Sequence, residues 1–504
     1  MQDIQPAESR QVSVPRSRRF SFDIATTIAV LGTTVLTAVA FVPAASIPFM
    51  FTKVSILAIG TLVTLVLYIL ARLTRGNAIV PPLPLLGALW LIPLAYLLSA
   101  LFSGVGLRAG FFGTDIETDT LAFVLVLAAL ATLTALSFRR VPSIKLAFKV
   151  GAILLGVVVV SQALFLLVSR IAPTKISATT NIVGSFSDLG MVIGLGITIA
   201  LLALRSLKLS SRVRLALFIG GGLGLLALAV VNSTIVWGLV VLVAFGLFIE
   251  AIMKNRAPGD DSDLDGVALM LAENEHEVGD HQTRSLVAPL VTLAIGLFFL
   301  IGGSTIGNAM VGAFGANVID VRPSWTSTFD VGSHTYASSP VFGSGPGTFG
   351  SQWLKFRDRA LNDTVFWNID FGTGVGYIPT SFVSTGVVGA LAWIVFLGLF
   401  LFMGLRMLLL RAPTDPFVQF ASTASFTGFV YVMALSVLAI PGPVVLVLGF
   451  VFAGLFISTM RYSAHAREWG IIFTRNPRVG FVIVFGLTLL LLASILATYV
   501  VIER

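Results

Sequence analysis

The chain has 504 residues, 56% hydrophobic and 11% charged, with a mean hydropathy of +0.97. A soluble globular domain carries about 25% charged residues, so this composition describes an integral membrane protein and excludes an ordinary soluble enzyme. The formal net charge is +8, but Lys and Arg sit mostly in short connections between apolar runs, as topology determinants do, and so do not point to nucleic acid. Cys is absent, which excludes disulfides and thiolate metal sites. The four His are scattered, so no histidine metal cluster is expected.

Residues 1–22 form a basic tail with Arg10, Arg16, Arg18 and Arg19. The apolar run that follows exceeds the roughly 7–15 residues of a signal-peptide core and reads as a retained first span. Spans are predicted near 23–43, 54–72, 82–103, 119–138, 148–169, 187–205, 213–231, 233–252, 286–304, 386–410, 417–437, 440–460 and 479–501. The expected fold is therefore an all-α bundle of about 12–13 transmembrane helices. With the N-terminus inside, the alternate connections carry Arg72 and Arg75, Arg139 and Arg140, Arg205 and Lys208, Arg406 and Arg411, and Arg461 to Arg478. That alternation predicts a cytoplasmic N-terminus in the cytoplasmic (inner) membrane. Residues 23–304 then form nine helices, 305–385 one large extracytoplasmic loop containing short helices, and 386–504 the remaining helices.

The inner segment 253–285 is acidic, and its Asp261–Gly266 run imitates the opening of a calcium loop. The closing bidentate Glu belongs at position twelve, where Ala272 stands, so the segment reads as a solvated linker. Charged residues are almost absent from the middle of the spans. Ion-coupled transporters generally need them, which lowers the transporter reading.

The outer loop carries the candidate chemistry. Arg322 and Trp325 open it; an interfacial Arg can hold a phosphate, or the two can serve as a headgroup anchor pair. Gly343-Ser344-Gly345-Pro346-Gly347 feeds a short segment, 351–359, read as an interfacial helix. A glycine turn at a helix start offers backbone N–H groups to an anion. On that helix Trp353, Leu354, Phe356, Ala360 and Leu361 form an apolar side and Lys355 and Arg359 a polar one. Outer carboxylates are few: Asp330, Asp370, Asp188 and Glu117. His334 is the one outer His, and either it or Asp370 has the chemistry of a general base.

These elements resemble the O-antigen ligase and polymerase superfamily, multi-span glycosyltransferases of the GT-C type. The resemblance rests on Arg322, Trp325, the Gly343–Gly347 turn, Gly386-Val387-Val388-Gly389, and weaker stretches at Gly113–Thr120 and Asn181–Gly190. It covers roughly residues 80–410. Two family features are missing. No His accompanies Asn at Trp367-Asn368 or at Val375-Gly376, and Asn232-Ser233-Thr234 stands where an Arg often follows a Ser. The resemblance implies metal-independent, cofactor-free transfer of a glycan from a polyprenyl-diphosphate carrier to a glycan, lipid or protein acceptor. It implies Arg322, Asp370 and His334 as catalytic residues. Trp325, Gly343, Gly345, Gly347, Lys355, Arg357, Arg359, Asn368, Arg108, Arg170 and Lys175 would bind substrate. The other readings are a non-catalytic scaffold of surface-polysaccharide assembly and a lipid or polysaccharide transporter.

Overall fold

The computed structural model describes residues 21–41, 48–113, 118–171, 177–256, 275–315, 321–358, 363, 368–463, 469–472 and most of 480–492. In chain order the helices are α1 (Phe22–Val39), α2 (Phe49–Arg75), α3 (Leu83–Phe102), α4 (Leu107–Phe112), α5 (Leu121–Ser137), α6 (Val141–Ile171), α7 (Phe186–Ser206) and α8 (Ser211–Val231). There follow α9 (Thr234–Arg256), α10 (Glu275–Gly302), α11 (Asn308–Phe314), α12 (Trp325–Ser338), α13 (Phe349–Phe356), α14 (Tyr377–Leu410), α15 (Pro416–Leu438) and α16 (Pro443–Thr459). One antiparallel ribbon joins β1 (Asn77–Val80) to β2 (Trp469–Ile472). Ten of the described helices are long and apolar enough to cross a membrane, and Leu121–Ser137, Val287–Gly302 and Gly480–Leu490 are shorter apolar helices. Each expected span up to 440–460 coincides with a helix; of 479–501 the described part, Gly480–Leu490, is helical, and 493–501 lies outside the described residues. The chain is a multi-pass α-helical membrane protein.

Among the boundaries that differ from expectation, three bear on the loop and the linker. The acidic linker is shorter than 253–285, because α9 runs to Arg256 and α10 begins at Glu275; Glu, Gln and Arg are good helix formers even where the surroundings are polar. The calcium-like run lies outside the described residues. The span expected at 386–410 starts at Tyr377. Residues 325–338, expected as loop, form α12, whose start Ser324 caps by accepting from Ser327 N–H at 3.1 Å.

The core is centred on α16, nearly all of which is buried. Phenylalanines from three helices interlock there: Phe400 meets Phe429 at 4.2 Å between ring centroids, Phe456 at 5.0 Å and Phe426 at 5.8 Å. Local signals set the helix ends. Ser185 and Asp188 form a capping box at the start of α7. Asp188 also accepts from Gly442 N–H at 2.6 Å, which ties the starts of α7 and α16 together.

The connections sort into two ends. Lys53 donates to the carbonyls of Ala38 (2.8 Å) and Ile182 (2.7 Å), and Asn232 to that of Gly303 (3.0 Å). Tyr377 N–H donates to Ala439 (3.0 Å). These links, with α12 and α13, mark one end, called here the loop end. At the opposite end Arg72 and Arg75 pair with Asp23, and Tyr462 Oη donates to the Arg139 carbonyl at 2.7 Å.

Candidate functional site

The loop end is organised around a break in a transmembrane helix. At Gly386 the α14 backbone leaves helical geometry, with φ +64° and ψ −158°, a region open essentially to Gly alone. Breaking a helix frees the carbonyls before the break and the N–H groups after it, and buried backbone polar groups need partners. The segment 336–345 supplies them. Tyr336 Oη donates to the Phe382 carbonyl (2.8 Å). Ser344 N–H donates to Val383 (3.2 Å) and Gly345 N–H to Ser384 (2.8 Å). After the break, Val387 and Val388 N–H donate to the carbonyls of Pro340 (3.0 Å) and Val341 (3.2 Å). The two backbones touch: a Cβ on Gly343 would lie 2.5 Å from Gly386 N, and one on Gly386 2.5 Å from Gly343 N.

This geometry changes the role of the glycine turn. The sequence aims its N–H groups at an anion. Instead Gly343 donates to Ser339 (3.1 Å), Ser344 and Gly345 donate to α14, and Gly347 donates to Asp119. Pro346 has no N–H. The turn is a splint across the broken helix. Gly386, expected as a helix start, is the position at which the second half of α14 begins.

Asp119 is the residue that sequence reasoning missed; it lay unremarked within the Gly113–Thr120 stretch. It stands in the connection before α5, outside the helix, and is buried. Tyr96 Oη donates to its Oδ1 and Ser384 Oγ to its Oδ2, each at 2.5 Å. Burial pushes the carboxyl up to about 6, against the opposing pull of the Ser384, Tyr96 and Gly347 hydrogen bonds. Ser99 Oγ lies 2.7 Å from the Phe342 carbonyl and 3.0 Å from that of Ser384, and Tyr377 Oη donates to the Thr118 carbonyl at 3.2 Å. The connection before α5, the glycine turn, α3 and α14 thus form one polar knot.

The expected site residues lie around this knot. Arg322 precedes α12, and its Nη1 donates to the carbonyls of Val375 (3.3 Å) and Leu438, the last residue of α15. A guanidinium there complements the negative end of the α15 dipole. Among the described residues, Nε and Nη2 of Arg322 have no hydrogen-bond partner. Trp325 is exposed and stacks on Phe329 at 5.8 Å. His334 is exposed, nine residues on. Its Nδ1 donates to the Asp330 carbonyl (2.8 Å), and its ring stacks on Phe356 (5.1 Å). That hydrogen bond leaves Nε2 as the lone-pair nitrogen of a neutral ring. At 1.5 Å per residue, Trp325 and His334 stand about 14 Å apart along α12, so Arg322 and His334 are not an adjacent pair.

α13 ends at Phe356, before Arg359, and its burial differs from the expected two-sided pattern. Phe349 and Trp353 point inward, forming a small core with Val331 and Val383, while Leu354 and Lys355 are exposed. Phe371 packs edge-on to Trp353 at 5.2 Å, which brings the neighbouring exposed Asp370 to the α13 side. Arg357 caps the C-terminus of α13, and Asn368 is exposed. Arg108 is on α4, whose Gly110 lies beside Pro346 of the turn. Arg170 ends α6 at the loop end, but α6 packs on α1, α7, α8 and α15 rather than on the splint. Arg359, Lys175 and Glu117 lie outside the described residues. Among the described residues no group of three His, Asp or Glu is placed to hold a metal.

No protein-family model matches the chain, and no curated protein matches it. The functional argument therefore rests on the geometry of the loop end.

Proposed function

We propose that the protein transfers a glycan from a polyprenyl-diphosphate carrier to a glycan, lipid or protein acceptor, as an O-antigen ligase- or polymerase-like glycosyltransferase. In this reading the loop end faces the outside of the cytoplasmic membrane, and the basic connections of the opposite end lie inside. The observation that carries it is Arg322. Two backbone carbonyls fix its guanidinium, and its remaining donors are unpaired among the described residues. A preorganised cation costs little reorganisation when it meets charge developing on a leaving diphosphate.

In this mechanism Arg322 holds the diphosphate, with Lys355, Arg357 and Arg108 as outlying cations. The acceptor hydroxyl attacks the anomeric carbon while the C–O bond to the diphosphate breaks, and the diphosphate leaves with the bonding pair. The hydroxyl proton goes to an outer base, His334 through Nε2 or Asp370; His334 stands apart from Arg322 along α12, so as the base it serves an acceptor that approaches from the α13 side. The test is transfer in reconstituted vesicles supplied with lipid-linked glycans of the native host. Arg322→Ala should abolish carrier release, and removing the base, by His334→Ala or Asp370→Ala, should lower it by about 10²-fold or more. A ladder of products would mean polymerisation, and one capped acceptor ligation. Folded wild type that releases no carrier from any host-derived donor overturns the enzyme reading.

A second reading, transport of the lipid-linked glycan, is favoured by one observation. A discontinuous helix beside a buried carboxylate, here α14 and Asp119, is the arrangement transporters use at their sites. It predicts movement of the substrate between leaflets with the carrier–glycan bond intact.

A further inference from the structure

The glycine turn is held down in two chemically different ways. Backbone bonds fasten Ser344 and Gly345 to α14. Gly347 is fastened instead to a side chain, the carboxyl of Asp119. That carboxyl is buried, and its other partners are the hydroxyls of Tyr96 on α3 and Ser384 on α14. Among the described residues no cation pairs with it. The titratable groups that face it are Tyr96 of α3 and Tyr377 of α14, phenols that bring no positive charge. α5 and the turn carry no titratable side chain, Arg108 of the adjacent α4 is exposed, and Glu117 lies outside the described residues.

We infer that Asp119 is a proton-operated latch on the glycine turn: the neutral carboxyl keeps the turn seated on α14, and the ionised carboxylate drives it to lift and admit water. The inference does not rest on the glycan-transfer reading. An ionised carboxyl buried without a cation is costly, and two hydroxyls and one N–H recover only part of that cost. Water recovers the rest, so ionisation favours whichever state hydrates the carboxyl. The turn is the cover that can move, because α3 and the first half of α14 are buried helices, whereas Gly347 and Thr348 are already partly exposed. The neutral form needs no opening. Ser384 Oγ lies 3.2 Å from the Thr380 carbonyl and 3.3 Å from that of Ser381, so its hydroxyl can turn to them and accept the carboxyl hydrogen.

The sign follows from linkage. The carboxyl titrates at about 6 when buried, against 3.8 in water. The seated state therefore holds a proton that the hydrated state has released. Seating is favoured below this window, is lost as pH rises through it, and is flat above it.

The chain contains no Cys, so one introduced thiol reports alone. Ser103, the residue after α3, has a buried hydroxyl without a partner, and a Cβ on Gly345 would lie 2.7 Å from it. The seated turn covers this position. Ser103→Cys in the full-length protein in detergent is labelled with a small methanethiosulfonate. Its rate is divided by that of Ser338→Cys, at an exposed position of α12, which cancels the pH dependence of thiol reactivity. Between pH 5 and 7.5 the ratio should rise about tenfold, and Asp119→Asn should abolish the rise. Should Asp119→Asn fail to fold, Tyr96→Phe removes a donor to the carboxylate and should move the rise to higher pH. Should Ser103→Cys fail to fold, hydrogen exchange over residues 339–349, corrected for its intrinsic pH dependence, should show the same rise in wild type and none in Asp119→Asn. A reading that is flat or falls with pH, a rise that survives Asp119→Asn, or one that Tyr96→Phe leaves unmoved overturns the inference.

Discussion

The buried carboxyl of Asp119 makes a prediction whose sign is unusual for a carboxylate. Its value of about 6 lies above the ordinary 3.8, so between those two values the folded protein holds a proton that the unfolded chain has released. Stability then falls as pH rises through this window and is flat above it. At 1.36 kcal/mol per unit, a difference of about 2 units amounts to about 3 kcal/mol, gained on acidification from pH 7 to below 4. The perturbation is Asp119→Asn, which removes the titration and keeps the shape. Asn is tolerated because Ser384 Oγ lies 3.2 Å from the Thr380 carbonyl and 3.3 Å from that of Ser381. Its hydroxyl can donate there while accepting from the new amide. The assay is thermal unfolding in detergent from pH 4.5 to 8, wild type against variant, so that all other titrating groups cancel in the difference. Wild type should gain stability relative to the Asp119→Asn variant as pH falls, with most of the change between pH 6 and 4.5. Identical pH profiles, or a wild type that loses stability relative to the variant on acidification, would refute the reasoning. The second result would mean that the three donors outweigh burial and hold the carboxylate ionised.

The splint predicts that Gly386→Ala and Gly343→Ala destabilise strongly. Each puts a Cβ 2.5 Å from backbone in a left-handed conformation, costing about 1–3 kcal/mol for the conformation alone; detergent-stability midpoints and yield of folded protein report it. Asn232 ends α8 with φ +52° and donates to Gly303. Asn232→Ala should cost about 2–3 kcal/mol, from left-handed strain plus a lost hydrogen bond, and Asn232→Gly less, since Gly removes only the hydrogen bond; the order of the two melting midpoints is the check.

The spans were legible because about 20 apolar residues between basic connections admit few structures in lipid. Their ends were less so. The α14 sequence gives no sign that Tyr377–Thr385 belongs to the same helix as Val387–Leu410, because the polar Thr380, Ser381, Ser384 and Thr385 look like loop residues. They are buried, and Ser384 is bonded to Ser99 of α3 and to Asp119. The site was legible in composition but not in role. Gly343 and Gly345 stood out as glycines that let a neighbour come close, and they do; Gly343 meets the α14 backbone and Gly345 the side chains of Ser103 and Val105, rather than a phosphate. Asp119 gave only a local cue, an acid one residue before the Thr120 N-cap. Its side-chain partners are 23 and 265 residues away in sequence, and no short motif encodes such a contact. α12 did carry a readable start in Ser324, obscured by a run of Thr, Ser, Asp and Gly that are poor helix formers.

The splint also narrows what the loop end can do to an anion. If the glycine turn bound the diphosphate through its N–H groups, binding would require breaking the contacts that hold α14 across Gly386. Ser344 and Gly345 cannot serve Val383 and Ser384 and a phosphate with the same hydrogen. Anion recognition in the proposed reaction therefore falls to side-chain cations, chiefly Arg322, whose spare donors can engage without disturbing the fold. The two roles separate by experiment. Substitutions at Gly343 or Gly386 should lower stability and transfer together, since they act on the splint. Arg322→Lys keeps the charge and loses the fork geometry, so it should lower stability by no more than about 1.5–3 kcal/mol, the scale of one charge-assisted hydrogen bond, while transfer collapses. A lysine variant with full transfer would remove Arg322 from the diphosphate site and leave it as a cap on α15.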